Sequence, residues 1–353
     1  MNNEINPEMI LLARESRGIT QSALAEKLNV TQAAISKAEK IQGKTSEVLL
    51  QKIAKYLDYP VNFFFQQEHY YPPATPFHRK QRSLGKKLQQ QIEAEANVRR
   101  IHIQKFLDSI DINNKNGIPC FDIDSYGTAA EVANATRRYL QLPKGPIQNI
   151  TNIIEGLGIP LVLCSFNTDK LDAFTLIAKR NAPVIFVNNN MPWCRVRFTL
   201  AHELGHIVMN HIQKPGIEDE ATDFASAFLM PDEDIEKDFL RKKVTIFYLA
   251  DLKLYWKVSM QALLTTAGKR DYITPSQSTY LWKIFSSSGY RKKEPYDLKP
   301  ETPSIIASMI KLHTTELEYT EEELFQILAT NKESFFTLYP FLNNRPPKLR
   351  LVV

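Results

Sequence analysis

Residues 193–208 read WCRVRFTLAHELGHIV, a stretch in which apolar residues recur at helical spacing around the sequence His-Glu-x-x-His. His202 and His206 are four residues apart, so a helix places both imidazoles on one face, one turn from each other. That arrangement suits two ligands of a tetrahedral zinc ion, and Glu203 between them can take a proton from water at the metal. The alternative is a pair of histidines on a helix face with an unrelated surface glutamate, which the helical context disfavours.

A third protein ligand is needed to complete such a site. His211 is close along the chain, but a continuing helix would carry it to the face opposite His202. Glu220 is the better candidate, because it adjoins the apolar face of the next predicted helix, whose small residues permit close packing. Asp223 could then accept a hydrogen bond from the distal nitrogen of a ligand histidine. An ordinary surface aspartate is an equally good interpretation of Asp223.

The first 66 residues predict five short helices in quick succession. Thr20 and Thr31 each stand where a hydroxyl can cap the following helix, and apolar residues recur at helical spacing. Prolines between residues 69 and 77 interrupt this pattern, and residues 84–110 then predict one long polar helix.

The region after Cys120 mixes helices with strands. Short β-rich runs at 159–164, 173–178 and 184–187 predict a small sheet ahead of the histidine helix. The run at 184–187 could also pair with an extended peptide. Helices divided by prolines follow residue 272, so the pattern as a whole is that of a mainly helical α+β protein.

Composition sets the class of protein. The 353 residues are too many for one ordinary core, and hydrophobic and charged residues make up 43% and 24%, as in folded globular proteins. The three cysteines are widely spaced without a Cys-x-x-Cys pair, which argues against a disulfide framework and a thiolate zinc site. No apolar run reaches the length of a membrane span. We therefore expect a reduced, cytoplasmic setting and no membrane partner.

Positive charge is concentrated between Arg79 and Lys105. Eight Lys or Arg residues stand there against two Glu, although the net charge of the whole chain is only +5. Such a run could contact nucleic acid, but a solvated helix face is the plainer interpretation.

The residues around the histidine pair resemble those of the ImmA/IrrE family of zinc metallopeptidases. The resemblance rests on three stretches of sequence. They are RFTLAHELGH at 197–206, PVIFVN at 183–188, and the short matches EA at 220–221, FA at 224–225 and LMP at 229–231. It spans about residues 118–270. Thr222 stands where the family commonly has asparagine.

This resemblance implies a fold, a cofactor and a substrate. The fold would be a compact gluzincin-like domain with Zn²⁺ held by His202, His206 and Glu220, and with Glu203 as catalytic base. The substrate would be an XRE-type transcriptional repressor, because members of this kind cleave such regulators or are thought to do so.

The N-terminal part resembles the XRE-type helix-turn-helix, through Thr20-Gln21 and TQAAISK at 31–37 followed by Glu39. In such a module the outward residues near the start of the recognition helix read base edges, and flanking polar residues contact phosphates. The base-reading candidates are Gln32, Ala33 and Ser36, and the phosphate candidates are Gln21, Lys37 and Lys44. Residues 1–66 hold eight basic and seven acidic side chains. Charge therefore leaves both double-stranded DNA and a protein, including a second copy in a homodimer, as partners.

Together these observations predict four parts: a five-helix XRE-type domain at 1–67, a linker and basic helix at 68–117, the metallopeptidase domain at 118–270, and a helical C-terminal extension at 271–353. The expected function is that of a zinc endopeptidase that cleaves a regulatory protein and carries its own targeting module. The alternative is a DNA-binding regulator or antitoxin whose zinc site is structural or sensory. An intact Glu203 favours catalysis, because a structural site needs the ligands but not that carboxylate.

Overall fold

The computed structural model describes residues 4–40, 45–73, 84–108, 117–177, 183–210 and 217–344. Contacts divide the chain into two compact units. The first unit comprises residues 1–72, 83–112 and 304–353, and the second comprises residues 73–82 and 113–303. The fold is α+β and mainly helical, as predicted, with one three-stranded sheet among the described residues.

The first unit begins with the short helices that the capping residues predicted. They are α1 (Pro7–Ser16), α2 (Gln21–Leu28), α3 (Gln32–Ala38) and α4 (Glu47–Leu57), followed by a 3-10 helix at Val61–Phe65. The hydroxyls of Thr20 and Thr31 each accept a hydrogen bond of 3.2 Å from a backbone N–H three residues on, which confirms both caps. Asn29 turns the chain between α2 and α3 in the left-handed conformation, with φ 53°.

The long helix α5 (Lys86–Asp108) belongs to the core of the first unit. Its Val98 and Ile101 lie in the same apolar cluster as the buried residues of α1 to α4. Arg99 and Arg100 are only 8% and 3% exposed. The guanidinium of Arg100 donates a hydrogen bond to the carbonyl oxygen of His69 at 3.0 Å, so it binds a group within the same unit. The expectation of a solvated basic face was wrong for this end of the run, while residues 79–83 lie outside the described residues.

In the second unit, helices both precede and follow the sheet along the chain. Before the sheet come α6 (Ile123–Tyr126), α7 (Ala129–Tyr139) and α8 (Ile150–Gly156). After it come α9 (Trp193–Val208), α10 (Ile217–Leu229), α11 (Asp232–Arg241), α12 (Ile246–Trp256), α13 (Met260–Lys269) and α14 (Pro275–Ser287). The histidine pair lies on α9, as its periodicity predicted.

The sheet consists of β1 (Leu161–Cys164), β2 (Ala173–Leu176) and β3 (Val184–Asn188), in the order β1-β3-β2. The central strand β3 is parallel to β1 and antiparallel to β2. Residues 184–187 therefore do not form the exposed edge that was expected, because β1 and β2 pair with the two sides of β3. Among the described residues no strand pairs with the outer side of β2, which makes β2 an edge of the sheet.

The helices α9 and α10 pack closely. Gly205 on α9 faces Phe224 on α10, and a Cβ at Gly205 would lie 2.9 Å from Cδ1 of that ring. Ala221 and Ala225 are fully buried in the same helix. The small residues thus permit the close approach that the sequence predicted.

The C-terminal helices α15 (Ile305–Thr315), α16 (Glu321–Leu328) and α17 (Lys332–Leu338), with a 3-10 helix at Pro340–Asn344, belong to the first unit. Phe106 of α5 meets His313 with ring centroids 4.9 Å apart, and Arg17 of the helix-turn-helix region donates to Ser334 Oγ at 2.9 Å. The extension predicted at 271–353 is thus divided between the two units, because its last helices bury their apolar faces on α5. The domain boundaries drawn from the sequence stay predictions.

Two further observations concern membrane-spanning helices and the cysteines. None of the described helices is both long and apolar enough to cross a membrane. Cys120 is exposed, Cys164 and Cys194 are buried, and all three are free thiols, which agrees with their spacing in the sequence.

Candidate metal centre

His202 and His206 lie one turn apart on α9, as the motif predicted. Their ring centroids are 4.7 Å apart with planes at 82°, and their Nε2 atoms are 3.1 Å apart. His206 is buried, while His202 is partly exposed. Each imidazole therefore directs its Nε2 atom toward one point between α9 and α10.

The carboxylate at this point belongs to Glu218. Its Oε2 lies 3.1 Å from His202 Nε2 and its Oε1 lies 3.4 Å from His206 Nε2. These three side chains form the one group of potential metal ligands found among the described residues, and Glu220 is not a member of it. The geometry therefore favours Glu218 over Glu220 for the third position, and the ligand set stays a prediction. His211, the other candidate, lies outside the described residues.

The rotation of α10 about its axis explains why Glu218, and not Glu220, lies beside the two histidines. Successive helical residues differ by about 100°, so Glu218 and Glu220 point about 160° apart around the helix. Glu218 shares its face with Thr222, one turn on, whose Oγ1 lies 3.4 Å from His202 Nδ1. The spacing of Glu218, Ala221, Thr222 and Ala225 was a signal for this face, because it forms a stripe of small residues next to an acid.

The geometry of the three side chains fits a zinc ion. Zinc bonds of about 2.0–2.2 Å at tetrahedral angles place ligand atoms about 3.3–3.5 Å apart. The two Nε2 atoms are 3.1 Å apart, and they lie 3.1 and 3.4 Å from the two different oxygens of Glu218, all within a few tenths of an ångström of that edge. Two imidazoles and a carboxylate are also a donor set that zinc accepts, with a fourth position left for water or substrate.

Asp223 lies away from the histidines. Its Oδ1 is 3.3 Å from Lys269 Nζ, and its side chain is 58% exposed. The hydroxyl of Thr222 is the group that stands beside His202 Nδ1 instead. The structure therefore places Asp223 at the surface, and Thr222, noted only as a departure from the family pattern, at the site.

Glu203 lies on the buried side of α9 and is 5% exposed. Thr175 of β2 donates a hydrogen bond from Oγ1 to Glu203 Oε2 at 2.6 Å. Burial raises the pKa of the Glu203 carboxyl to about 7, and the hydrogen bond from Thr175 opposes this shift. Sequence reasoning missed Thr175, because nothing local connects a strand residue to a helix residue 28 positions away.

The start of α9 is anchored by Arg197, whose side chain is 1% exposed. Its guanidinium pairs with Glu301 and donates to the carbonyl oxygens of Lys257 and Ile147. Glu301 also accepts from the backbone N–H of Thr151 at the start of α8. These contacts fix the helix that carries the histidines, because a buried guanidinium needs partners in defined positions.

The predicted DNA-contacting residues lie on α2 and α3 of the first unit. Gln32 Nε2 donates to Gln21 Oε1 at 2.7 Å, and Gln21 Nε2 donates to Glu39 Oε2 at 2.7 Å. Arg14 holds Glu39 through a paired contact. Gln32, Ala33 and Lys37 are exposed and Ser36 is partly exposed, so the start of α3 presents polar groups outward. Lys44 lies outside the described residues.

Comparison with known families gives two matches. Residues 154–267 match the model of a peptidase family described as the IrrE N-terminal-like domain. Residues 10–64 match the model described as a helix-turn-helix. These matches confirm the predicted fusion of an XRE-type helix-turn-helix with an ImmA/IrrE-like peptidase domain. No curated protein matches the chain.

Proposed function

We propose that this chain, which joins a helix-turn-helix to an ImmA/IrrE-like peptidase domain, is a zinc-dependent endopeptidase. His202, His206 and Glu218 hold the metal in this proposal. The observation that carries it is the convergence of two imidazole Nε2 atoms, 3.1 Å apart, on the two oxygens of one carboxylate, at 3.1 and 3.4 Å, which is close to the spacing of ligand atoms around zinc.

The reaction is hydrolysis of a peptide bond. Zinc, when bound, supplies a Lewis acid that acidifies water and polarises a carbonyl oxygen. Glu203 accepts the proton of the attacking water and later passes it to the nitrogen of the leaving amine. Its burial beside the histidines supports this role, because a buried carboxylate outside the ligand set has no part in a purely structural site.

The substrate lies extended along β2 in this proposal. Asn188 N–H donates to the carbonyl oxygen of Asp172 at 2.8 Å, which makes these two residues a hydrogen-bonded antiparallel pair. Such pairs alternate along a ladder, so the backbone groups of Ala173 and Thr175 point away from β3. An extended peptide would add to that edge by main-chain hydrogen bonds, as in other cases of strand addition, once the groups that leave Ala173 and Thr175 only 7% and 2% exposed move aside.

The substrate class we propose is an XRE-type transcriptional repressor, as the family resemblance implies. The helix-turn-helix of the chain itself supports a role near operator DNA or near such a repressor. Residues Gln32, Ala33 and Ser36 would read bases and Gln21 and Lys37 would contact phosphates, with Gln32 oriented by its hydrogen bond to Gln21.

The test is to incubate the zinc-loaded protein with XRE-type regulators encoded beside its gene and to measure their intact masses. We expect one regulator to be cut at one position, and we expect a chelator or Glu203→Gln to prevent the cut. If zinc is bound and every regulator stays intact, the chain is better described as a regulator with a structural or sensory zinc site.

A further inference from the structure

Two side-chain contacts join the edge strand to the helix that carries the histidines. Arg195 of α9 forms a two-pronged ion pair with Asp172, with hydrogen bonds of 2.8 and 2.7 Å. Thr175 Oγ1 donates to Glu203 Oε2 at 2.6 Å. The eight residues from Arg195 to Glu203 rise about 12 Å, and the three from Asp172 to Thr175 extend about 10 Å. The two contacts therefore fit a strand that runs alongside the helix.

The entry to β2 is fixed independently by Asn188 at the end of β3. Its side-chain amide donates to the carbonyl oxygens of Thr168 and Leu171 at 2.8 and 3.0 Å. The register of β2 on β3 follows from this anchor and from the antiparallel pairing that begins with Asp172. Thr175 therefore has a defined place on the strand before any peptide binds.

The backbone groups and the side chain of Thr175 point in different directions. Its backbone N–H and C=O point away from β3, because Thr175 and Ile185 form a pair that exchanges no ladder hydrogen bonds. Its side chain faces α9, where Thr175 and Glu203 are 2% and 5% exposed as residues. Water does not compete well for a hydrogen bond at such depth, and the branched Cβ restricts rotation of the side chain.

We propose that Thr175 is the residue that positions the catalytic base, Glu203. This inference rests on the proposed function. The hydroxyl holds Oε2 of Glu203, which leaves Oε1 to accept the proton of water. The carboxylate is thereby held in one orientation.

The hydroxyl is the feature that distinguishes this role from packing. Valine has nearly the shape of threonine and is as well suited to a buried strand. Thr175→Val therefore preserves the shape of the edge strand and removes only the hydrogen bond to Glu203. Thr175→Ser removes a methyl group instead and keeps the donor.

The experiment uses the full-length, zinc-loaded protein and a peptide library made by digesting a cell proteome. kcat and KM are measured on the library peptide that the wild type cleaves fastest. Thr175→Val should lower kcat by about 10- to 100-fold, the usual effect of removing an outer contact at a metal site. KM and zinc content should stay within about twofold of wild type, because the backbone edge and the ligands are unchanged. Thr175→Ser should retain most of kcat.

A double variant separates positioning from a general structural effect. In the Glu203→Gln background, Thr175→Val should lower kcat by less than about twofold further, because residues that act through one another are not additive. An unchanged kcat in Thr175→Val overturns the proposal. The same fold-loss of kcat with and without the Glu203 carboxylate overturns it too, as does a serine variant that is as impaired as the valine variant.

A crystal structure of Thr175→Val gives a readout that needs no cleavage. We expect the Glu203 carboxylate to leave its position toward β2 when the hydroxyl is absent. If the wild type cleaves no peptide, the proposed function fails, but this structure still tests the positioning of Glu203. A carboxylate that stays in place without the hydroxyl overturns it.

Discussion

His202 Nε2 lies 3.1 Å from Glu218 Oε2, although the two residues are 16 positions apart and stand on different helices. The contact exists because α9 and α10 approach closely at Gly205 and Phe224. The candidate metal centre therefore depends on the packing of two helices, whereas the histidine pair depends on one helix alone. Variants can test these two parts separately.

The first prediction concerns the identity of the third ligand. Glu218→Ala should weaken zinc binding by at least about 100-fold, more than the 10- to 100-fold typical of an outer contact. Glu220→Ala is the matched control and should bind zinc like the wild type, because Glu220 is not in the ligand cluster. Zinc per chain is measured after dialysis against buffers of defined free zinc. The reverse pattern, loss of zinc with Glu220→Ala alone, would support Glu220 as the third ligand, as expected from the sequence.

The second prediction concerns the approach of the two helices. Gly205→Ala adds a Cβ that would stand 2.9 Å from the buried ring of Phe224, so it should destabilise the protein by about 1–3 kcal/mol. Gly156→Ala is the control, because a Cβ at that helical position meets nothing within 4 Å. Urea unfolding measures both. A Gly205→Ala protein as stable as the wild type would show that the helices can separate without cost.

The third prediction concerns the helix-turn-helix. Gln32→Ala should cost about 1–3 kcal/mol on a preferred operator and little on random DNA, because an amide reads a base edge. Lys37→Ala should weaken binding to all sequences and reduce the salt dependence by about one charge. Affinities at several salt concentrations distinguish the two. A wild-type protein without salt-sensitive DNA affinity would favour the protein-recruiting interpretation.

Local features of the chain were predictable and contacts between distant segments were not. The caps at Thr20 and Thr31 and the face shared by His202 and His206 follow from spacing within one helix. The choice between Glu218 and Glu220 depends on how α10 is rotated against α9, which the packing of the two helices decides. Side chains that complete a site from another element leave no periodic signal.

The same limit explains the interpretation of α5. Its polar residues resemble a solvated helix in the sequence, yet Arg99 and Arg100 are buried within the first unit. The partners that cover α5 include His313 and other residues of the last 50 positions of the chain. The residue pattern along one helix describes only that helix. It cannot show that a segment distant in the sequence packs against it.

The last prediction separates an enzyme from a zinc-bearing regulator by Glu203→Gln, which keeps the shape of the side chain and a hydrogen-bond acceptor for Thr175. A neutral amide cannot accept a proton from water, so cleavage should fall by about 10²- to 10⁴-fold, the usual contribution of general-base catalysis. Zinc content should stay at the wild-type level, because Glu203 lies outside the ligand cluster. Substrate cleavage and induction of the target genes in cells are measured beside zinc content and protein abundance. Loss of induction with zinc retained supports proteolysis as the mode of action. Unchanged induction in a Glu203→Gln strain with normal protein abundance would mean that the protein acts without cutting a peptide bond.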